Sequence, residues 1–525
     1  MMTSNSKRAL PTFQHDLHMN LAEVKKKLGE SPDLVIREFV IGTDTPLPAA
    51  VIYLDGMADK KLISDSVMRP LMTGTRESLP DRDASPEQWF RYIKCRMLWT
   101  GDVEMIRDWN ELIRAVLSGN AAVLVDGWNA AFGCGTGGGK NRSISEPTTE
   151  VVVRGPKDSF TESLEINLTL VRRRVRSPDL QIEPATVGKL TQTNVAIMYI
   201  KGIVKEDVVR EVRRRIGAID IDAVLESGYI EELIQDHTMT PFPTLYNTER
   251  PDAVAGNILE GRVAIFVDGT PFVLIAPTII AQFFQSPEDY FSRFDIGSAV
   301  RLLRYAAFIV ALIGPSIYIA LMTFHQEMIP TPLLISIAAQ REGVPFPSFI
   351  EILLMEVSFE VIREAGVRMP RAVGQAVSIV GALILGQAAV QAGMISAMTV
   401  IVVATTGIAS FAFPKYSFSN AARLLRFIFI VLAAVFGFLG ITLGMIMLIA
   451  HLASLRSFGV PYLAPFAPFV PGDQKDTVLR LPLLKMITRP KLISSTNKTR
   501  IGPDSVPSPQ TSGSSGGRRD ADETE

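Results

Sequence analysis

The sequence predicts an α/β soluble N-terminal region, built as two related subdomains, followed by an all-α polytopic transmembrane domain. Three observations predict it. Charge is dense up to Arg304 and nearly absent from Tyr305 to Leu455. That quiet block holds apolar stretches of bilayer length. In the front half, short apolar runs closed by glycine recur at similar spacing.

The front half comes first. Residues 1–19 are polar, carry no apolar signal segment, and read as a disordered N-terminus, with the domain behind them expected in the cytoplasm. Val51–Gly56, Ala122–Gly127 and Ala264–Gly269 each run apolar residues into Asp-Gly, and Ala196–Gly202 is a variant with lysine. Each reads as a buried strand ending in a turn that glycine permits. Helical patterns lie between the paired strands, at Met105–Leu117 and Glu206–Ile216. Residues 20–154 and 155–296 are therefore expected to form two related α/β subdomains.

Net charge is −1, so whole-chain charge says nothing about nucleic-acid or acidic partners; no nucleic-acid partner is expected. The two cysteines, Cys95 and Cys134, are too few for a zinc site or a disulfide scaffold. No histidine has a zinc partner at the right spacing, and no catalytic constellation appears, so neither a cofactor nor an enzyme is expected. Gly133–Gly138 fits a dinucleotide spacing. No helix pattern follows to receive a pyrophosphate, and a loop is the better reading.

The membrane block, 297–456, is expected to hold about four spans, at 305–324, 372–391, 394–413 and 427–452. Gly314 and Pro315 are candidates for a helix break. Gly381 and Gly386 suit close packing of helices. A proline-punctuated juxtamembrane region, 457–502, and a disordered tail, 503–525, follow. Four spans put both termini on one side, here taken as cytoplasmic.

Between the first two spans, 345–366 reads as an amphipathic helix. Glu356, Glu360 and Glu364 form one stripe at 100° per residue, and Glu351 lies off it. One carboxylate at a bilayer centre costs at least about 2.5–3.5 kcal/mol. Such a helix lies at the interface, packs inside a bundle, or lines water. Rings of carboxylates select cations in oligomeric pores, so these four glutamates are pore-lining or gating candidates.

Several longer matches carry a resemblance. They include Tyr53–Gly56, Glu146–Pro156, Ser159–Asn167, Gly297–Arg301 and Ile329–Leu334. The longest is Arg341–Pro347 leading into Glu351, Glu356, Glu360 and Arg363–Arg368, and Phe458–Pro465 completes the set. In this order they resemble the A subunits of the GerA-type nutrient germinant receptors of bacterial spores, over about Asn20 to Pro490. The loop from Cys134 to Gly139 departs from the sequence the family has there. The resemblance implies a multi-pass protein of the spore inner membrane that works with a membrane-spanning B subunit and a lipoprotein C subunit. It also implies a homo-oligomer forming a nutrient-gated cation channel. The alternative is a receptor or scaffold subunit that signals to a separate channel through its α/β region.

Overall fold

The structure is a computed structural model. It describes residues 13–502 apart from 30, 43–46, 74–87, 89–90, 139–145, 370–385 and 495–496. The tail at 503–525 lies outside the described residues.

The first α/β unit contains α1 (Leu17–Leu28), β1 (Leu34–Ile41), β2 (Leu47–Leu54), β3 (Val103–Ile106), α2 (Trp109–Leu117), β4 (Ala121–Val125) and β5 (Ala131–Cys134). The second contains α3 (Leu164–Arg174), β6 (Leu180–Val187), β7 (Thr193–Ile200), α4 (Glu206–Gly217), α5 (Ser227–Ile234), β8 (Tyr246–Thr248), α6 (Pro251–Leu259), β9 (Val263–Val267) and β10 (Val273–Ala276). The two sheets have orders β1-β2-β4-β5-β3 and β6-β7-β9-β10-β8. Every pairing is antiparallel.

The four glycine-closed runs are β2, β4, β7 and β9, the second and third strands in the order of each sheet. Their turns hold Gly56, Gly127, Gly202 and Gly269 at φ of 78°, 81°, 81° and 90°, a region that disfavours any side chain. The repeat extends to single hydrogen bonds. Asp126, after β4, accepts the Leu17 N–H at 2.9 Å, at the start of α1. Asp268, after β9, accepts the Leu164 N–H at 3.1 Å, at the start of α3. Asn20 ties back to Gln14 through two bonds, as Asn167 does to Thr161. Each aspartate thus satisfies a helix N-terminus that would otherwise leave its amides unpaired.

Two expectations change here. The disordered N-terminus was drawn too long, because Asp16 caps α1 and Phe13 packs on Trp109 at 4.6 Å. The Gly133–Gly138 motif is not wholly a loop: Gly133 and Cys134 complete β5, paired with β4 and β3.

The helical region holds α7 (Phe294–Thr323), α8 (Thr331–Arg341), α9 (Ser348–Arg368), α10 (Ala397–Ser410) and α11 (Tyr416–Ser454). Among the described residues α7 and α11 are long and apolar enough to cross a membrane, with mean hydropathy 2.0 and 2.6. The span expected at 372–391 lies mostly outside the described residues. The one at 394–413 appears as α10, whose 14 residues fall short of a bilayer core.

α11 is not one rod. Gly437 has φ 58° and ψ −138°, and beyond it the chain folds back. A Cβ on Gly444 would lie 2.8 Å from the Phe429 ring, and one on Gly440 would run into the Leu432 carbonyl. Phe418 and His451 would stand about 50 Å apart along a straight helix. Instead both rings meet Phe242, at 5.9 and 6.5 Å. The stretch 427–452 is therefore the arms of a helical hairpin, 416–436 and 438–454, rather than one span.

The break expected at Gly314-Pro315 is absent, since α7 runs through it. A proline removes one N–H, which neighbouring helices tolerate in an apolar bundle. A positive φ at glycine reverses the chain outright. The hairpin turn meets the end of α7, where a Gly437 Cβ would lie 3.0 Å from Phe324 and 3.1 Å from His325. The C-terminal end of α7 thus reaches the hairpin turn, and the hairpin returns the chain toward the second sheet. There Ser457 donates to the Thr244 carbonyl at 2.7 Å. One apolar core runs from a face of that sheet (Met198, Phe266) into the bundle (Leu312, Phe418, Ile430).

Candidate functional site: buried charges around the carboxylate helix

α9 covers the predicted amphipathic segment. Its four glutamates occupy three different settings. Glu356 is fully buried and accepts from Arg426 at 2.7 Å. Glu360, one turn on, is mostly buried and accepts from Arg423 Nε at 3.0 Å. Glu351 is also fully buried. Its Oε2 accepts the Ser396 N–H at 2.8 Å and the Thr399 hydroxyl at 3.0 Å. That seats a carboxylate on the N-terminus of α10, the positive end of the helix. Arg341 lies 3.2 Å from its other oxygen. Glu364 is exposed and pairs only with Arg368, one turn away on the same helix.

The stripe therefore splits. Glu356 and Glu360 turn inward onto the first hairpin arm, and Glu351 pins α10. The face of α9 left open carries Leu354, Val357 and Val361, at 42%, 48% and 64% exposure, and ends at Glu364. Arg363 follows another pattern. It donates to the Ser410 hydroxyl and stacks over Phe359 and Phe411, at 5.2 and 4.7 Å. Such cation–π contacts strengthen when water is excluded.

A second buried set joins the bundle to the soluble region. Lys415, just before the hairpin, is buried and donates to Glu150 and to the Asn247 carbonyl. Its ammonium also lies 4.0 Å from the Tyr246 ring centroid. Burial pushes its pKa down, against the pull of Glu150. The segment 148–150 is itself held by Glu249, which accepts the Thr149 and Glu150 amides at 2.6 and 3.1 Å. Arg301 and Arg304 are not free flanking charges. They bind the buried Asp289, and Arg301 also reaches Asp476 at 2.8 Å.

Sequence reading missed Arg423, Arg426, Lys415 and Gly437 as site residues. A signal was available for two of them. Arg423 and Arg426 are three apart and Glu356 and Glu360 four apart, so each pair occupies one helix face. Of the packing glycines, Gly386 lies against Val400, 3.4 Å from its position for a Cβ, and Gly381 lies outside the described residues.

Comparison with known proteins gives this arrangement a context. Residues 22–492 match the family model described as Bacillus/Clostridium GerA spore germination protein. The chain is 52% identical over 496 residues to spore germination protein KA of Bacillus subtilis (strain 168), covering 94% of this chain and 90% of that protein. It is 39% identical over 475 residues to spore germination protein B1 of the same organism, covering 90% and 96%. Another Bacillus subtilis relative, 43% identical over 465 residues and covering 89% of each chain, is named as a membrane protein, YfkQ. The crystal structure of the N-terminal domain of the A subunit of the Bacillus megaterium spore germinant receptor GerK3 also matches. Its identity is 42% and its TM-score 0.41, covering 52% of this chain and 99% of that one. With a family match running from α1 into the C-terminal region beyond the hairpin, this chain belongs to the GerA family of spore germination proteins.

Proposed function

We propose that the chain is the A subunit of a nutrient germinant receptor of the spore inner membrane. It works there without enzymatic chemistry, beside B and C subunits, as the oligomeric, cation-conducting part. α7 and both hairpin arms cross the bilayer, the chain recrosses it between α7 and Lys415, and the α/β region faces the cytoplasm. The observation that carries this reading is α9, an acidic helix held among apolar helices by Arg423 and Arg426. Its open face is apolar and ends in a carboxylate. Copies arranged around an axis would meet along Leu354, Val357 and Val361, an apolar constriction that gates by drying, with Glu364 at its mouth. Nutrient binding opens it by favouring one of two states.

The test is conductance of the reconstituted receptor. Val357→Ser wets the constriction, and a nutrient-independent cation leak is expected at normal protein abundance. An unaltered, nutrient-dependent conductance in that variant removes α9 from the pore. The second reading, a scaffold that signals to a separate channel, is supported by a cavity of about 720 Å³ between the two α/β units, lined by Asp33, Asp55, Glu165, Arg172 and Asp268. Receptor that never conducts after reconstitution with its partners favours it.

A further inference from the structure

A second cavity lies away from α9 and away from the cleft between the α/β units. It opens between α6, the segment 282–291 and the C-terminal region, with a volume of about 470 Å³. Leu259, Pro287 and Phe291 supply apolar wall, and Arg262, Arg489 and Arg500 lie along it. Opposing charge is scarce. Glu260 is 2.6 Å from Arg500 and 4.0 Å from Arg262. Asp252, also on the wall, is committed to Arg250 at 2.7 Å. Asp476, behind Arg262, is committed to Arg301. Arg489 donates to carbonyls, those of Leu259, Asn497 and Thr499, and to the Asn497 side chain. Among the described residues, these three guanidinium groups therefore share one available carboxylate.

One further feature points to an acceptor in this cavity. Arg262 is 2% exposed, and its Nε–H has no acceptor among the described residues. Burial, and after it the neighbouring Arg500, push the Arg489 pKa down.

We propose that this cavity binds a phosphate-bearing anion with an organic body. Planar guanidinium groups match phosphate oxygens in pairs. The cavity is in the size range of organic ligand sites, and its apolar wall suits more than an inorganic ion. Its source is a phospholipid headgroup or a soluble phosphate ester, because Phe291 lies three residues before the apolar helix α7.

The full chain, purified in detergent and delipidated, tests this. Native mass spectrometry reports retention of phosphatidylglycerol against phosphatidylcholine. Calorimetry reports binding of glycerol 3-phosphate against glycerol. The expected result is preference for the anionic member of at least one pair. Arg489→Gln and Arg500→Gln, chosen over the buried Arg262, each weaken it about tenfold in protein that keeps a cooperative unfolding transition. Glu260→Gln tightens it, because the competing carboxylate is gone. Preference among lipids alone assigns a headgroup site, and binding of glycerol 3-phosphate assigns a soluble ester. No preference in either pair, or full affinity in both arginine variants, overturns the proposal.

Discussion

The α/β region and the helical bundle distribute polarity in opposite ways. In the two sheets the inner strands are apolar and largely buried, while pairs such as Lys189–Asp220 and Arg210–Asp207 stand in solvent. In the bundle Ile428, Leu439, Leu443 and Met447 are exposed, while Glu356–Arg426 is enclosed. An exposed ion pair is worth about 0–1 kcal/mol. A buried one recovers its desolvation cost only while both partners stay in place. Three of the buried pairs mark joints. Asp33–Arg172 joins the two α/β units, Glu150–Lys415 joins the segment that Glu249 holds on the second unit to the hairpin, and Glu356–Arg426 joins α9 to the hairpin.

The sharpest way to break this contrast is to halve the innermost pair. Arg426→Met leaves Glu356 enclosed without its cation and should cost about 3–5 kcal/mol. Adding Glu356→Met should recover most of the loss, since two apolar side chains fill the space without charge. A double-mutant cycle of unfolding in detergent checks it. If the double variant is no better than Arg426→Met alone, packing rather than charge holds the joint.

Gly437→Ala comes next. A side chain there meets a positive φ and the Phe324 and His325 rings together. The expected cost is about 2–4 kcal/mol, combining backbone strain with overpacking. Gly386→Ala, at an ordinary helical position, serves as the mild control. Distance measurements between labels at 418 and 451 report the hairpin directly. A separation near that of a straight helix in the parent chain would refute it.

These two sites show what was readable and what was not. The strands β2, β4, β7 and β9 were legible because apolar runs, aspartate and glycine all act locally. That Asp126 and Asp268 hold helices more than 100 residues earlier was not, since it depends on how α1 and α3 dock. The carboxylates of α9 stood out by cost alone, but their partner Arg426 lies 70 residues on and looked like an ordinary charge flanking a span. Hydropathy carries no direction, so an apolar run that doubles back at Gly437 reads the same as one that continues. Pro315 drew attention as the expected breaker, yet the lost N–H proved tolerable and the quieter glycine reversed the chain.

Glu231 is where the soluble region departs from its own pattern. Its cavity also holds Glu226, Asn247 and Lys415. Burial raises its pKa to about 7, with Glu226 adding to the rise and Asn247 opposing it. Between about 4.5 and 7 the unfolded chain has released this proton and the folded chain still holds it. Stability therefore falls as pH rises through that window. Glu231→Gln should flatten the dependence and gain about 1–3 kcal/mol at pH 8, the lower figure allowing for partial exposure. Unfolding midpoints at pH 5 and pH 8 check it, and an unchanged slope in the variant assigns the dependence to another group.

The smallest expected stability effect belongs to the fourth carboxylate of α9. Glu364 and Arg368 are both largely exposed, at 57% and 79%, and a helix-surface pair of this spacing contributes about 0.3–0.5 kcal/mol. Glu364→Gln should leave the unfolding midpoint within about a degree or two. That near-silence makes it useful, because Glu356→Gln cannot separate folding from conduction. A carboxylate at the mouth of a cation path raises local cation concentration, and its loss should lower conductance most at low salt, where screening is weakest. Unchanged stability with reduced low-salt conductance assigns Glu364 to the path. Unchanged conductance at every salt concentration leaves it an ordinary surface charge and turns the search to the apolar face beside it.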